Sequence, residues 1–138
     1  MIVLLQSQLE HIFAQAREAA PAECCGLIGG AAEGGAKSIY RLHNVASNPL
    51  VTYEAAPEAL FAAQRSMRER DEELLAIYHS HPRAVEPTPS ETDVRLAYYP
   101  SAVYLIVGLG GAGPVLRAFQ ISEKERSWKA VEYEIRGE

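Results

Sequence analysis

The strongest constraint on the fold is the way apolar, β-prone runs alternate with helical periodicities along the chain. Residues 102–109 read Ala-Val-Tyr-Leu-Ile-Val-Gly-Leu, with the length and composition of a strand. A second apolar run starts at Cys24 and ends in the glycines Gly29 and Gly30, which suits a buried strand. Glu33-Gly34-Gly35 reads as a turn that returns the chain into a strand over 38–42. Further strands are expected over 74–81, 115–121 and 128–135. Helical spacing of Leu9, Ile12, Phe13 and Ala16 predicts a helix over 7–20, with Ser7 as its cap and Pro21 after its end. A second helix is expected over 57–70, with Pro57 in its first turn and Leu60, Phe61, Gln64 and Met67 sharing one side. A third, shorter one is expected over 90–98. Residues 43–53 read as a loop or irregular edge strand, and 82–89 as a proline-bearing loop. Several strand pairs have the spacing of hairpins, and the helices are too few for a purely parallel sheet. The expected class is therefore α/β, a mixed sheet with helices packed against it. No repeat or linker divides the chain, so residues 1–138 are expected to form a single domain.

Charge narrows the possible partners. Thirteen Lys and Arg against eighteen Asp and Glu leave a net charge of −5. The cations are scattered, apart from a small knot at Arg65, Arg68 and Arg70, whereas a nucleic-acid binder carries a basic stripe. A small substrate or a protein partner is expected instead. No apolar run approaches the roughly 18 residues of a membrane span, and the start of the chain lacks a signal-peptide pattern. Cys24 and Cys25 are adjacent, so they cannot staple distant segments, which suits a reducing cytoplasm. One of the two thiols is expected to be buried and the other partly exposed.

The chemistry concentrates in His79-Ser80-His81-Pro82, followed by seven residues and then Ser90-Glu91-Thr92-Asp93. On a strand, residues i and i+2 share a face and lie roughly 6.6 Å apart along the chain. Two imidazoles can converge from that spacing on one ion, and Pro82 would leave both at the rim of the sheet. Taken alone, a His-x-His pair also fits two solvent-facing polar residues. A third ligand must come from another element, and the loop over 83–89 is long enough to bring the next helix back. Ser90-x-x-Asp93 also has the form of a capping box. On that reading Asp93 cannot fully serve both a cap and a metal. Two nitrogens and one carboxylate would make a three-ligand set with an open fourth position, the catalytic form of a zinc site. Those ligand types favour zinc over magnesium or calcium.

The string His-Ser-His-Pro, seven residues, Ser-Glu-Thr-Asp resembles the JAMM motif, H-x-H-P-x7-S-x-x-D, of the MPN+ metalloproteases, and every fixed position matches. That family also carries a glutamate just ahead of a glycine-containing strand, where this chain has Glu23-Cys24-Cys25-Gly26. The likeness extends over nearly the whole chain. It implies the MPN/JAMM, cytidine deaminase-like fold, with a mostly antiparallel, curved and partly barrel-like sheet. It implies that His79, His81 and Asp93 hold one zinc ion. Glu23 would position the attacking water as general base and then general acid. Ser90 would donate a hydrogen bond to the tetrahedral oxyanion.

The resemblance also implies a substrate. The short bacterial and archaeal members act after the C-terminal Gly-Gly of ubiquitin-like sulfur carriers, releasing cysteine or a conjugated protein. A glycine tail offers backbone rather than side chains, so pairing with a strand edge is expected. The expected wall is the segment 44–53, with Asn48 and Tyr53 as its substrate-binding residues. Two rivals stand beside this reading: a non-catalytic MPN scaffold or binding module, and a zinc peptidase for generic small peptides. A zinc deaminase would need H-x-E and P-C-x-x-C, and the chain has neither.

Overall fold

In the computed structural model, which describes residues 1–138, eight strands and three helices follow the expected alternation. They are β1 (Ile2–Leu5), α1 (Gln6–Ala19), β2 (Cys25–Gly30), β3 (Ala36–Leu42), α2 (Pro57–Glu69), β4 (Glu73–His81), α3 (Glu91–Arg95), β5 (Val103–Gly108), β6 (Val115–Ser122), β7 (Ser127–Val131) and β8 (Tyr133–Arg136). Six strands form one sheet in the order β3-β2-β4-β5-β6-β7. Its pairs are antiparallel except β4–β5, which is parallel. The expected mixed, mostly antiparallel sheet is thus the one found. It stays open, with β3 and β7 as its edges, so its pairing gives no barrel-like closure.

The sheet is buried on both faces because each central strand carries apolar residues at both parities. Tyr78, Leu105 and Val107 pack with Ile12 and Ala16 of α1 on one side. Ile77, Tyr104, Ile106 and Phe119 pack with Ala63 and Met67 of α2 on the other. Pro57 occupies the first turn of α2, where its missing N–H costs nothing. The inward stripe is Leu60, Ala63 and Met67, while Phe61 is 62% exposed, contrary to the expected face. One residue rotates a helix by about 100°, enough to carry Phe61 off a narrow stripe. Cys24 and Cys25 are both buried free thiols, one on each face, so neither is partly exposed as expected.

The chain ends depart from expectation. Residues 128–135 are not one strand: β7 stays on the main sheet, and β8 leaves it after Glu132 to pair in parallel with β1. The short β1 runs straight into α1 with no turn between them, so the helix begins one residue early. Leu5, not Ser7, is the cap residue, and Ser7 is exposed. The Gln8 side chain accepts the Leu5 N–H at 2.8 Å in its place.

A parallel pair needs a crossover of a dozen or more residues. Here it runs from His81 to Val103 and carries the motif loop and α3. The loop lies directly on the end of β5. A Cβ on Gly108 would meet the Ala84 carbonyl at 2.6 Å, and one on Gly110 would meet the Arg83 carbonyl at 2.3 Å. Gly110 N–H donates to the Ala84 carbonyl at 2.8 Å, and Arg117 donates to the Pro87 carbonyl at 3.1 Å. Two glycines therefore let the loop turn back tightly over the sheet end, and α3 is returned toward the end of β4.

Candidate functional site

His79 and His81 lie at the end of β4 on the face that carries Ile77 and Tyr104. His79 is fully buried and His81 half-buried. The crossover brings Asp93 to them. Its Oδ2 lies 3.1 Å from His79 Nε2 and 3.0 Å from His81 Nε2, and the two nitrogens are 3.2 Å apart. Contrary to the expectation that Asp93 must choose between them, the helix cap and the cluster share one carboxylate. Ser90 N–H donates to the same Oδ2 at 2.9 Å, and Asp93 N–H donates to Ser90 Oγ at 3.0 Å. One carboxylate oxygen has lone pairs for both directions. The capping box therefore sets the direction in which Asp93 points.

Glu23, two residues ahead of β2, reaches the same place. The antiparallel register pairs Cys25 with His79, so two residues earlier Glu23 falls opposite His81 on the same face. Ser80, between the histidines, points to the other face and binds the chain there: Cys24 N–H donates to Ser80 Oγ at 2.8 Å and Ser80 N–H to the Cys24 carbonyl at 3.2 Å. A carboxylate oxygen of Glu23 and ring nitrogens of His79 and His81 lie within 4.8 Å of one another. Glu23 is 4% exposed, and its Oε1 has no hydrogen-bond partner.

Asn44 holds Glu23 in that position, and nothing in the sequence pattern singled it out. Its Nδ2 donates to the carbonyls of Glu23 at 2.9 Å and Thr52 at 3.0 Å. Its Oδ1 accepts from the N–H groups of Ala46 at 3.0 Å and Glu54 at 3.1 Å. Glu23 N–H donates to the Pro49 carbonyl at 2.8 Å. The irregular segment is thus a clamp on the glutamate as much as a wall. Asn44→Ala should lower stability by about 2 kcal/mol, because several backbone groups lose their partner at once. Chemical denaturation of the purified variant measures this, and a loss under about 0.5 kcal/mol would count against the clamp.

Burial and charge set the protonation of the cluster. Burial pushes the Glu23 carboxyl up to about 7; nearby His81 opposes this and Asp93 adds to it. Burial holds His79 below the usual histidine value despite its contact with Asp93. Burial also works to lower His81, but the hydrogen bond and charge of Asp93 outweigh it and raise the group. Burial of Asp93 is likewise outweighed, by His79, His81 and the Ser90 N–H, which hold it well below the carboxylate range.

The donor set suits a metal. Ligands about 2.0–2.1 Å from a tetrahedral ion stand roughly 3.3 Å from one another. The 3.0–3.2 Å triangle of Nε2, Nε2 and Oδ2 is close to that. Glu23, with an orphaned buried oxygen, stands just outside it. Ser90 uses its oxygen as an acceptor within the cap, which leaves its hydroxyl proton free to donate.

The two groove residues separate. Tyr53 packs its ring on His79 with centroids 4.6 Å apart. Asn48 sits on an exposed turn, where its carbonyl accepts from Val51 and Thr52 at 3.3 Å, and it does not line the cavity beside Asp93. The turn explains the difference: it reverses the chain between the two residues, carrying Tyr53 inward and Asn48 out. The cavity has a volume of about 390 Å³ and is bordered by Leu27, Tyr53, Leu60, Ile77 and Tyr99.

The family described as prokaryotic homologs of the JAB domain matches residues 5–129. Among curated proteins, a desampylase from Haloferax volcanii is 36% identical over 109 residues, covering 74% of this chain and 76% of that one. A probable TtuB-protein conjugate cleaving protease from Thermus thermophilus is 36% identical over 115 residues, covering 83% and 72%. A CysO-cysteine peptidase from Mycobacterium tuberculosis is 31% identical over 107 residues, covering 78% and 73%. Among solved structures, protein DSY2949 from Desulfitobacterium hafniense superposes with a TM-score of 0.87 at 34% identity, covering 100% of this chain and 94% of that one. AF2198, a JAB1/MPN domain protein from Archaeoglobus fulgidus, superposes with a TM-score of 0.62 at 19% identity, covering 99% of each chain, and so shares the fold.

Proposed function

The chain belongs to the prokaryotic JAB family, and from that premise we propose that it is a zinc-dependent hydrolase acting on an amide or isopeptide bond after the C-terminal Gly-Gly of a ubiquitin-like sulfur-carrier protein. The observation that carries the reading is the convergence of His79, His81 and Asp93 within 3.0–3.2 Å, with Glu23 beside them. Relatives named for cleaving a protein conjugate and for a CysO-cysteine substrate support the choice of bond. In this reading residues 1–138 work as one domain in the cytoplasm.

His79 Nε2, His81 Nε2 and Asp93 Oδ2 would hold the zinc. When bound, zinc supplies Lewis acidity, lowering the pKa of water toward about 7 and polarising the scissile carbonyl. Glu23 takes a proton from the attacking water. Its raised proton affinity, which the charge of a metal would moderate, suits a group that must accept a proton and then give it up. The same proton passes to the leaving nitrogen as the C–N bond breaks. Ser90, with its oxygen fixed by the helix cap, turns its O–H toward the developing oxyanion. The cavity bordered by Tyr53 and Tyr99 seats the part of the tail that precedes the glycines.

The test is a substrate panel offered to the zinc-loaded protein: a carrier–cysteine adduct, a carrier joined to a protein lysine, and unrelated peptides of equal length. Cleavage after Gly-Gly in a carrier substrate, with the peptides turned over at least about tenfold more slowly, is expected. Equal turnover of the peptides would favour a generic peptidase, and no turnover of any substrate would favour a scaffold.

A further inference from the structure

A histidine that holds a metal through one ring nitrogen is ordinarily steadied by an acceptor on the other. His79 departs from that arrangement: its Nδ1 is buried and has no hydrogen-bond partner. Its ring is steadied by packing instead. Tyr53 stacks on one face, with centroids 4.6 Å apart and planes 27° apart, and His81 meets it at 4.9 Å with planes 63° apart. A flat ring stacked on an imidazole resists rotation of that imidazole about its Cβ–Cγ bond, because any large turn drives the edge of one ring into the face of the other. Tyr53 is itself held, since the segment bearing it is bridged at Asn44–Ala55 and tied by the Asn44 side chain to Thr52, Glu54 and Glu23.

We propose that Tyr53 is the positioning residue for His79, its stacked ring taking the part that an acceptor on Nδ1 plays elsewhere. The proposal rests on the reading of His79 as a zinc ligand. It moves Tyr53 from a groove wall to a support of the metal centre. It also makes the irregular segment a double brace, with Asn44 holding Glu23 and Tyr53 holding His79.

The experiment measures zinc affinity of the full chain by competition with a chromophoric chelator, alongside the visible spectrum of the cobalt-substituted protein and the melting temperature of the metal-free form. Tyr53→Phe keeps the ring and should bind zinc within about threefold of the wild type. Tyr53→Leu removes the flat face and should bind at least about tenfold more weakly, the scale on which outer-sphere partners act. Its cobalt spectrum should also shift. Tyr53→Met, of similar volume to leucine but unbranched and able to adapt to the gap, serves if the leucine variant does not fold. Wild-type affinity in the leucine or methionine variant would overturn the proposal and leave the hydrolase reading standing. So would a phenylalanine variant as weak as leucine, which would point to the hydroxyl. A wild-type protein that binds no zinc would sink both.

Discussion

Glu23→Gln is expected to hold zinc as tightly as the wild type while hydrolysing its substrate about 10³-fold more slowly. Glutamine is nearly isosteric with glutamate, so the clamp made by Asn44 and Pro49 through the Glu23 backbone is untouched. The three converging donor atoms belong to other residues and should be unmoved. What changes is the ability to take a proton: an amide oxygen is far too weak a base. Oε1 has no hydrogen-bond partner for the substitution to break, so folding should be little affected. Parallel measurements of bound zinc and single-turnover hydrolysis read the two effects separately. Turnover within about threefold of the wild type would remove Glu23 from the base role.

Asp93 should give the second large effect, and two substitutions divide its roles. Asp93→Asn keeps a side-chain oxygen that accepts the Ser90 N–H, so the cap of α3 survives. A neutral amide is a poor partner for a dication, so zinc affinity should drop by at least about 100-fold, and activity with it. Asp93→Ala removes the cap as well. It should lose zinc to the same degree and a further ~1 kcal/mol of stability in the metal-free form. Zinc titration and denaturation of both variants provide the comparison. An asparagine variant with wild-type zinc affinity would show that the carboxylate serves the cap alone.

Much of this site was legible before the fold was. His79 and His81 share a face because a strand has period two, and Pro82 marks where that strand stops. Neither fact depends on the rest of the molecule. Asp93 was legible only in part. The Ser90–Asp93 spacing signals a capping box, but only the packing of the 82–89 loop onto Gly108 and Gly110 reveals that the capping oxygen also faces both imidazoles. No sequence pattern assigns Ser80, between the two histidines, a role of its own. Its contact with Cys24 depends on the β2–β4 register, which no local pattern specifies.

The irregular segment was the least readable part. Asn44, Asn48 and Tyr53 are all plausible groove residues by type. Their separation comes from one turn near residue 48, which puts Asn44 against Glu23 and Tyr53 against His79 and leaves Asn48 in solvent. The β1–β8 pair leaves no sequence signal for a related reason. Four residues that run straight into a helix carry no periodicity of their own, and their partner β8 is continuous in pattern with β7.

The proposed chemistry requires His79, His81 and Asp93 to hold one zinc ion. Metal analysis of the purified wild-type chain, after reconstitution with zinc and removal of excess, tests it most directly when run beside His81→Ala. One zinc per wild-type chain and a small fraction of that in the variant is expected. Far less than one per wild-type chain, or equal loading of the variant, would contradict it.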